Sequence, residues 1–338
     1  MVAAERLRVG LVLGWDELPA ETFVGLARRA EEQGYETLWV GETWARDAFS
    51  ALTQIARGTS RIKLGTSVIS IFSRTPGMIA QSVATLDEAS GGRAILGLGP
   101  SSRTLVEGWH GVPFDRPISR MRELVPLLRR ILSGERVDFE GEFYHMRGLS
   151  LGFEPPRGAI PIYLAALSPR HLELTGEIAD GWLPTFFAPD RLDGFLTRLE
   201  RGAARSGRAL DAVDLAPWML TCASRDPEHA RSLARDHVAF FIAAYGDAYQ
   251  KLVRRYGFEE EVERLVQLWK EDYKSVASGV SDALLDTLAI TGTPEQCRER
   301  FAELYARGVD MPAVQMPARA PLEVVKETLD ALAPNPNT

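Results

Sequence analysis

Apolar segments of strand length alternate with amphipathic segments of helix length along this chain. Alternation of this kind is typical of an α/β fold built on a parallel sheet. Eight such units in 338 residues predict a (β/α)8 TIM barrel. An open, doubly wound sheet is the alternative, because counting strands does not show that the sheet closes. The segments interpreted as strands are 7–14, 36–42, 62–70, 93–99, 160–166, 181–186, 214–223 and 311–317.

Two segments interrupt the alternation. Residues 134–159 carry short alternating runs and turn residues, which predict a small β excursion after strand four. Residues 246–288 are helical in pattern and highly charged, which predicts an insertion after strand seven, either solvated beside the mouth or part of a dimer contact. We expect a single domain over 1–338.

Composition excludes several functions. A net charge of −7 argues against a nucleic-acid partner, and no apolar run approaches the roughly 18 residues of a membrane span. Two cysteines predict no disulfide framework and a reducing compartment. Five scattered histidines show no metal spacing, so no metal is expected. The first residues lack the pattern of a signal peptide, and we expect a cytoplasmic protein with a small-molecule substrate.

The residues just after the predicted strands carry few ionisable groups. In a barrel they surround the mouth, the end of the sheet where active sites form. Aromatic and small polar residues dominate there, which suits a flat ring cofactor that brings its own chemistry. The alternative for any one aromatic is ordinary packing. The candidate substrate-pocket residues are Trp15, Trp44, Phe72, Trp109 and Phe186.

Strand four ends in the glycine-rich sequence Gly97-Leu98-Gly99. A dinucleotide-binding turn needs a third glycine or alanine where this chain has Ser102, and Pro100 delays the helix. The sequence therefore predicts a mouth loop in which Gly99 lets a ligand ring approach the backbone. The alternative is an exit turn without a ligand.

The sequence "AALSPR" predicts an anion site at the start of a helix. Ser168 suits the N-cap and Pro169 the first helical position. The free backbone N–H groups and the helix dipole favour an anion there, and Arg170 adds charge. The alternative is a capped helix with a solvated arginine.

"LGTSVISIFSRTPGMIAQSVATLDEASGGRAILGLGPSS" and "IPIYLAALSPRHLELTGEIADGW" resemble the bacterial luciferase-like superfamily, and within it the branch that uses the deazaflavin coenzyme F420. This is the branch of methylenetetrahydromethanopterin reductase. The resemblance implies a cis peptide bond between Ser67 and Val68 that backs the deazaflavin ring. It also implies a phosphate site at the start of the helix after strand five. The implied cofactor-binding residues are Thr43, Ser67, Val68, Ser70, Gly99, Ala166, Leu167, Ser168 and Arg170.

The resemblance also limits the chemistry. Sugar-phosphate dehydrogenases of this branch have a histidine where this chain has Thr43 and a catalytic glutamate where it has Ser102, so sugar-phosphate oxidation is not expected. Glu42 is the best ionisable candidate, to orient the ring or relay a proton, and its alternative is a structural hydrogen-bond acceptor. The candidate catalytic residues are Glu42, Thr43 and Ser102.

The leading hypothesis is an F420-dependent oxidoreductase that transfers a hydride between deazaflavin C5 and a small organic substrate. The first alternative is an FMN-dependent luciferase-like monooxygenase, and the second is a non-catalytic flavin-binding protein. A homodimer is expected by resemblance.

Overall fold

The computed structural model describes residues 7–13 and 19–334. Strands and helices alternate through these residues. The strands are β1 (Gly10–Leu13), β2 (Thr37–Val40), β3 (Lys63–Thr66), β4 (Ile69–Ser70), β5 (Ala94–Gly99), β6 (Val137–Glu140), β7 (His145–Leu149), β8 (Ile162–Leu164), β9 (Gly181–Trp182), β10 (Asp214–Leu215), β11 (Trp218–Ala223), β12 (Ala289–Gly292) and β13 (Ala313–Gln315).

The α-helices pack around the sheet. They are α1 (Ala20–Glu32), α2 (Ala48–Gly58), α3 (Pro76–Ser90), α4 (Pro117–Leu132), α5 (Pro169–Ile178), α6 (Leu192–Arg205), α7 (Pro227–Phe240), α8 (Asp247–Arg255), α9 (Glu259–Glu271), α10 (Asp282–Leu288), α11 (Pro294–Ala306) and α12 (Leu322–Ala331). Among the residues described, no helix combines the length and apolarity needed to cross a membrane.

The main sheet is parallel, with the strand order β10-β9-β8-β5-β3-β2-β1-β13-β11-β12. Segment 214–223 forms backbone hydrogen bonds near both ends of this strand order. β10 pairs with β9, and the Trp218 N–H donates to the Pro184 carbonyl at 2.8 Å. β11 pairs with β13, and the Ala313 N–H donates to the Pro217 carbonyl at 2.8 Å. The sheet is therefore curled, and the predicted α/β fold on a parallel sheet is confirmed.

Both faces of the sheet are buried, which explains why the strands appear in the sequence as continuous apolar runs. One set of side chains packs inside the curl, around Trp39, Tyr163 and Met311. The other set packs against the helices in a larger core. Gly65 of β3 makes room for the inner cluster, because a Cβ there would lie 2.1 Å from the Trp39 ring.

The two interrupting segments have distinct structures. Within 134–159, β6 and β7 form an antiparallel pair separate from the main sheet. Within 246–288, the chain forms α8, α9 and α10, with breaks at Gly246 and Gly257, whose φ angles are positive. The sequence pattern did not predict β12, a short strand that pairs with β11. The continuous helical pattern of 246–288 is therefore divided in the structure, and Gly257, whose φ is positive, separates α8 from α9.

Candidate active site

A cavity of about 740 Å³ opens at the mouth. Five strand exits and the segment after α7 contribute to its lining. The lining residues lie within 41–43, 67–68, 100–103, 165–168, 183–185 and 241–255, with Phe114, Pro117, Ile118, His171 and Trp218.

Strand three is interrupted on the wall of this cavity. β3 pairs Gly65 with Ile95, whereas β4 pairs Ile69 with Leu98, so this side carries one extra residue and bulges. The Ser67–Val68 peptide bond within the bulge is cis, which confirms the bond implied by the resemblance. The Ser67 hydroxyl is buried and has no hydrogen-bond partner among the described residues. Both residues line the cavity.

Two glycines of the fourth predicted strand leave space for the bulge. A Cβ on Gly99 would lie 2.5 Å from Cγ2 of Val68, and a Cβ on Gly97 would lie 1.9 Å from the Thr66 carbonyl oxygen. Gly99 is not among the lining residues. The expectation that Gly99 admits a ligand ring directly therefore needs correction: it makes room for Val68, which lines the cavity. Ser70 is also set back, where its hydroxyl accepts the Phe72 N–H at 3.2 Å.

Glu42 lines the cavity but its carboxylate is fully engaged. Arg74 donates to both oxygens, at 2.9 Å for Nη2 to Oε2, and the Ala48 N–H donates to Oε2 at 2.9 Å. Arg74 also contacts Asp47, and these carboxylates, Glu42 first, raise the pKa of the guanidinium. This geometry favours the structural alternative for Glu42, in which the ion pair fixes the loop that presents Thr43. Thr43 is half-buried and lines the cavity.

Ser102 lines the cavity at the start of a π-helical turn, Thr104–Trp109. Its hydroxyl accepts the Leu105 N–H at 3.3 Å, and its carbonyl accepts the Val106 N–H at 3.0 Å. The side chain is buried against Gly246, where a Cβ would lie 3.2 Å from that of Ser102. Ser102 therefore supports the turn in addition to facing the cavity.

The predicted anion site lies on the cavity wall, with one correction. Ser168 is the N-cap of α5, makes no capping bond with its side chain, and lines the cavity with Leu167. Arg170 is exposed and is not among the lining residues. Ala166 is buried behind the wall, and its carbonyl accepts the Trp182 indole N–H at 2.9 Å.

Basic side chains reach the cavity from α8 instead, which sequence reasoning missed. Lys251, Arg254 and Arg255 all line it. Nη2 of Arg255 donates to the Leu167 carbonyl at 2.9 Å, beside the start of α5. The signal in the sequence is the spacing K-x-x-R-R, which places three cations on one helix face.

The aromatic residues predicted to form the substrate pocket do not line the cavity, where they are described. Trp15 lies outside the described residues. Trp44 and Trp109 are exposed, Phe72 packs on Phe114, and none of the three lines the cavity. Phe186 is buried behind the wall, 5.4 Å from the ring centroids of both Phe241 and Tyr249.

The observed aromatic wall comes largely from the segment that follows α7 and continues into α8. It consists of Phe114, Trp218, Phe241, Tyr245 and Tyr249. Residues 241, 245 and 249 recur every fourth position directly after the helix that follows strand seven, which is the pattern that indicates one face. The ring centroids of Phe241 and Tyr245 are 4.8 Å apart.

Two titratable side chains on the wall, those of His171 and Tyr249, are neutral, and the Glu42 carboxylate is paired. Burial lowers the pKa of His171 to about 4, so its imidazole is neutral at physiological pH. Burial raises the pKa of Tyr249, so its phenol keeps its proton. The Trp218 indole N–H is buried without a hydrogen-bond partner in the described ranges. The arrangement can bind and orient a flat ligand, and it offers hydrogen-bond donors more readily than free acids or bases.

Within the part of the chain that is described, no group of three His, Cys, Asp or Glu side chains is placed to hold a metal ion. Cys222 and Cys297 are buried free thiols, and burial raises the pKa of each to about 12.

Comparison with known proteins gives consistent matches. The family model described as luciferase-like monooxygenase matches residues 7–311. A 5,10-methylenetetrahydromethanopterin reductase of Archaeoglobus fulgidus is 33% identical over 287 residues, which cover 83% of this chain and 85% of that protein. A protein of the same name from Methanolobus tindarius is 32% identical over 324 residues, covering 94% and 96%.

A solved structure agrees with these sequence matches. The coenzyme F420-dependent tetrahydromethanopterin reductase of Methanopyrus kandleri superposes with a TM-score of 0.87 at 26% identity, over 97% of this chain and 98% of that one. Together these matches confirm the resemblance found in the sequence.

Proposed function

This chain belongs to the luciferase-like monooxygenase family, and we propose that it is an oxidoreductase that binds coenzyme F420 and exchanges a hydride with a small organic substrate. One observation carries the proposal. A single cavity is lined by the Ser67–Val68 bulge and by the start of α5, the two features that the resemblance assigns to the ring and the phosphate of the coenzyme. The coenzyme in the names of the relatives supports the same assignment.

The cavity fits a heteroaromatic ring. Its volume of about 740 Å³ lies within the range of sites for small ligands, roughly 300–1,000 Å³. Aromatic side chains supply apolar walls, while the Ser67 hydroxyl and the Trp218 indole N–H are buried without partners. Buried polar groups are almost always hydrogen-bonded, so these two groups support a ligand with polar edges.

The start of α5 fits a phosphate. The Ser168 side chain makes no capping bond, which leaves backbone N–H groups of the first turn without that partner. These groups and the positive end of the helix dipole favour an anion beside Leu167 and Ser168.

When bound, the deazaflavin supplies the hydride donor or acceptor at its C5 atom. The residues of this chain bind it, orient it and exclude water. The Glu42–Arg74 ion pair holds the Thr43 loop, so Glu42 acts in our proposal as a positioning residue. The neutral His171 and the protonated Tyr249 add no charge to the wall.

We also propose that the curled sheet is a closed (β/α)8 TIM barrel in a single domain, 1–338. The hydrogen bonds of segment 214–223 to β9 and to β13 support closure. In this scheme 134–159 and 246–288 are insertions after strands four and seven. The homodimer stays a prediction, which light scattering of the purified protein measures.

A pair of titrations tests the function. F420 and FMN are added separately to the purified protein, and fluorescence quenching gives the dissociation constant of each. We expect F420 to bind at least about tenfold more tightly than FMN, a difference of about 1.4 kcal/mol. Tight binding of FMN without binding of F420 contradicts the proposal and favours the monooxygenase. Binding of F420 without turnover of any tested substrate favours the non-catalytic alternative.

A further inference from the structure

Three basic residues of α8 face the cavity, and they differ in their partners. Lys251 pairs with Asp247, with Nζ 2.5 Å from Oδ2. Arg255 donates to two neutral carbonyls, those of Leu167 and Lys251. The Arg254 side chain is half-buried, and within 7–13 and 19–334 it makes no hydrogen bond or ion pair. Arg254 therefore holds a charge without a counter-ion on the cavity wall.

The carboxylates on the wall do not balance this charge. Glu42 is bound by Arg74, and Asp247 is bound by Lys251. Two guanidinium groups, those of Arg254 and Arg255, are left without a carboxylate among the lining residues described. A guanidinium binds a carboxylate or phosphate through two parallel hydrogen bonds, so this part of the wall is suited to an anion.

Helix α8, which carries these groups, is packed against the rest of the protein. Leu252 and Val253 are buried on its inner face. The side-chain amide of Gln250, within the helix, donates to the carbonyl of Ile242, which precedes the helix, at 3.0 Å. The hydroxyl of Tyr256, which follows the helix, donates to the Phe186 carbonyl at 3.2 Å. The cations therefore project from a packed helix, and the backbone that carries them does not have to be ordered when a ligand binds.

The position of α8 relates this charge to the phosphate site. Arg255 ties the helix to the Leu167 carbonyl, immediately before the Ser168 N-cap. An anion at the start of α5 and a second anion on α8 can therefore belong to one ligand with several negative groups. F420 is such a ligand, because its phosphate is followed by a chain of glutamates.

We propose that Arg254 and Arg255 form a second anion subsite, which binds the carboxylates of the glutamate tail beyond the phosphate. The inference rests on the proposed function. It makes α8, the first helix of the 246–288 insertion, the element that recognises tail length. The phosphate itself remains at the start of α5.

Three forms of the coenzyme separate the contributions. The first is the deazaflavin-ribitol fragment without phosphate, the second carries the phosphate without glutamates, and the third carries both. Fluorescence quenching gives the dissociation constant of each for the unaltered protein, for Arg254→Gln and for a control, Arg57→Gln. Arg57 is exposed near the end of α2, is not among the lining residues, and loses the same charge. Arg254 is preferred to Arg255 because changing Arg255 also breaks its bond to Leu167.

We expect the unaltered protein to bind the glutamate form about tenfold more tightly than the phosphate form, the effect of one charge-assisted contact. Arg254→Gln should abolish this preference and leave the affinity for the other two forms unchanged. Arg57→Gln should keep it. The preference should also weaken as salt rises, because the ion pairs are screened.

Other outcomes overturn the inference. If Arg254→Gln keeps the preference for glutamates, α8 does not bind the tail. If it weakens the phosphate form as much as the glutamate form, Arg254 binds the phosphate. If the unaltered protein fails to bind the deazaflavin-ribitol fragment and both longer forms, the proposed function itself fails. Circular dichroism confirms that each variant is folded.

Discussion

The two ends of the sheet treat charged and polar side chains differently. At the amino end, Arg8 bonds to Glu36 and to Asp214, with Nε 2.9 Å from Oε2 and Nη1 2.7 Å from Oδ1. Lys63 adds a second cation to Glu36 at 2.9 Å, and the Tyr163 hydroxyl donates to Asp214 at 2.5 Å. Each of these five groups has at least one partner, and the network joins five strands, through residues of β3, β8 and β10 and through residues shortly before β1 and β2.

At the mouth, several groups have no partner in the described chain. The Ser67 hydroxyl and the Trp218 indole N–H are buried and unpaired, and Arg254 has no counter-ion. In barrels, the amino end commonly serves stability and the carboxyl end serves the ligand. The difference teaches that the groups of the Arg8 network bond to one another within the protein, whereas these groups at the mouth are available to a ligand.

The largest effect is expected from the amino-end network. Asp214→Ala removes the partner of Arg8 and of Tyr163, so we expect the free energy of unfolding to fall by about 3 kcal/mol. The affinity for F420 should change by less than about twofold, or about 0.4 kcal/mol. Urea denaturation and fluorescence titration measure the two quantities. Asp211→Ala, at a neighbouring exposed position, is the control. Normal stability with weak F420 binding in Asp214→Ala would contradict the assignment of the amino end to stability and of the mouth to the ligand.

The next effect is expected at the start of α5. Ser168→Asp places a negative charge beside the phosphate, so F420 should bind about tenfold more weakly, since like charges repel. Aspartate is also a good N-cap, so the melting temperature should not fall. Ser168→Asn keeps the size without the charge and should retain affinity. Equal affinity of the two variants for F420 would show that the phosphate does not bind at this site.

Two buried serines, one hydrogen-bonded within the protein and one on the cavity wall, allow a direct comparison. Ser90 accepts the Arg93 N–H at 3.1 Å and donates to the Asp87 carbonyl at 3.1 Å, whereas Ser67 has no partner. Ser90→Ala should lower the free energy of unfolding by about 1 kcal/mol. Ser67→Ala should leave it unchanged and weaken binding of the deazaflavin-ribitol fragment by a few fold. Thermal denaturation and titration measure the pair, and a loss of stability in both would show that Ser67 is bonded within the protein.

The smallest effect concerns pH. Burial alone raises the pKa of Glu36, but the hydrogen bonds from Arg8 and Lys63 outweigh it, and the net pKa is lowered. Stability from this carboxylate is therefore fully present above its unfolded pKa of about 4.5 and is lost as the pH falls through the folded pKa. Glu36→Gln should flatten the fall of the melting temperature between about pH 5 and about pH 3. An identical profile would exclude the contribution.

The elements around the phosphate site were predictable because they depend on neighbouring residues. Ser168 and Pro169 specify the start of α5, and continuous apolar runs specify strands that are buried on both faces. Gly99 shows where this reasoning stops. Its place after a strand was correct, but its purpose depends on Val68, which lies 31 positions earlier in the sequence.

The cations and aromatic rings on the cavity wall show the same limit more strongly. Arg170 and Phe186 have the right chemistry and lie next to predicted strand ends, yet one is exposed and the other is covered by Phe241 and Tyr249. Tyr249 belongs to the segment 246–288, which the sequence indicated only as a charged helical insertion, and Phe241 shortly precedes it. No local pattern specifies the distance between that insertion and the start of α5.

By itself, the sequence determined the order of strands and helices, the family, and the start of the helix beside which an anion can bind. These features follow from the spacing of residues along the chain and from short-range hydrogen bonding. The tertiary structure decided which cations and aromatic rings reach the cavity, and it paired Glu42 with Arg74. The physical reason is that these contacts join residues far apart in the sequence. Glu42 and Arg74 follow different strands, and the cations of α8 reach the cavity because that helix packs beside the start of α5.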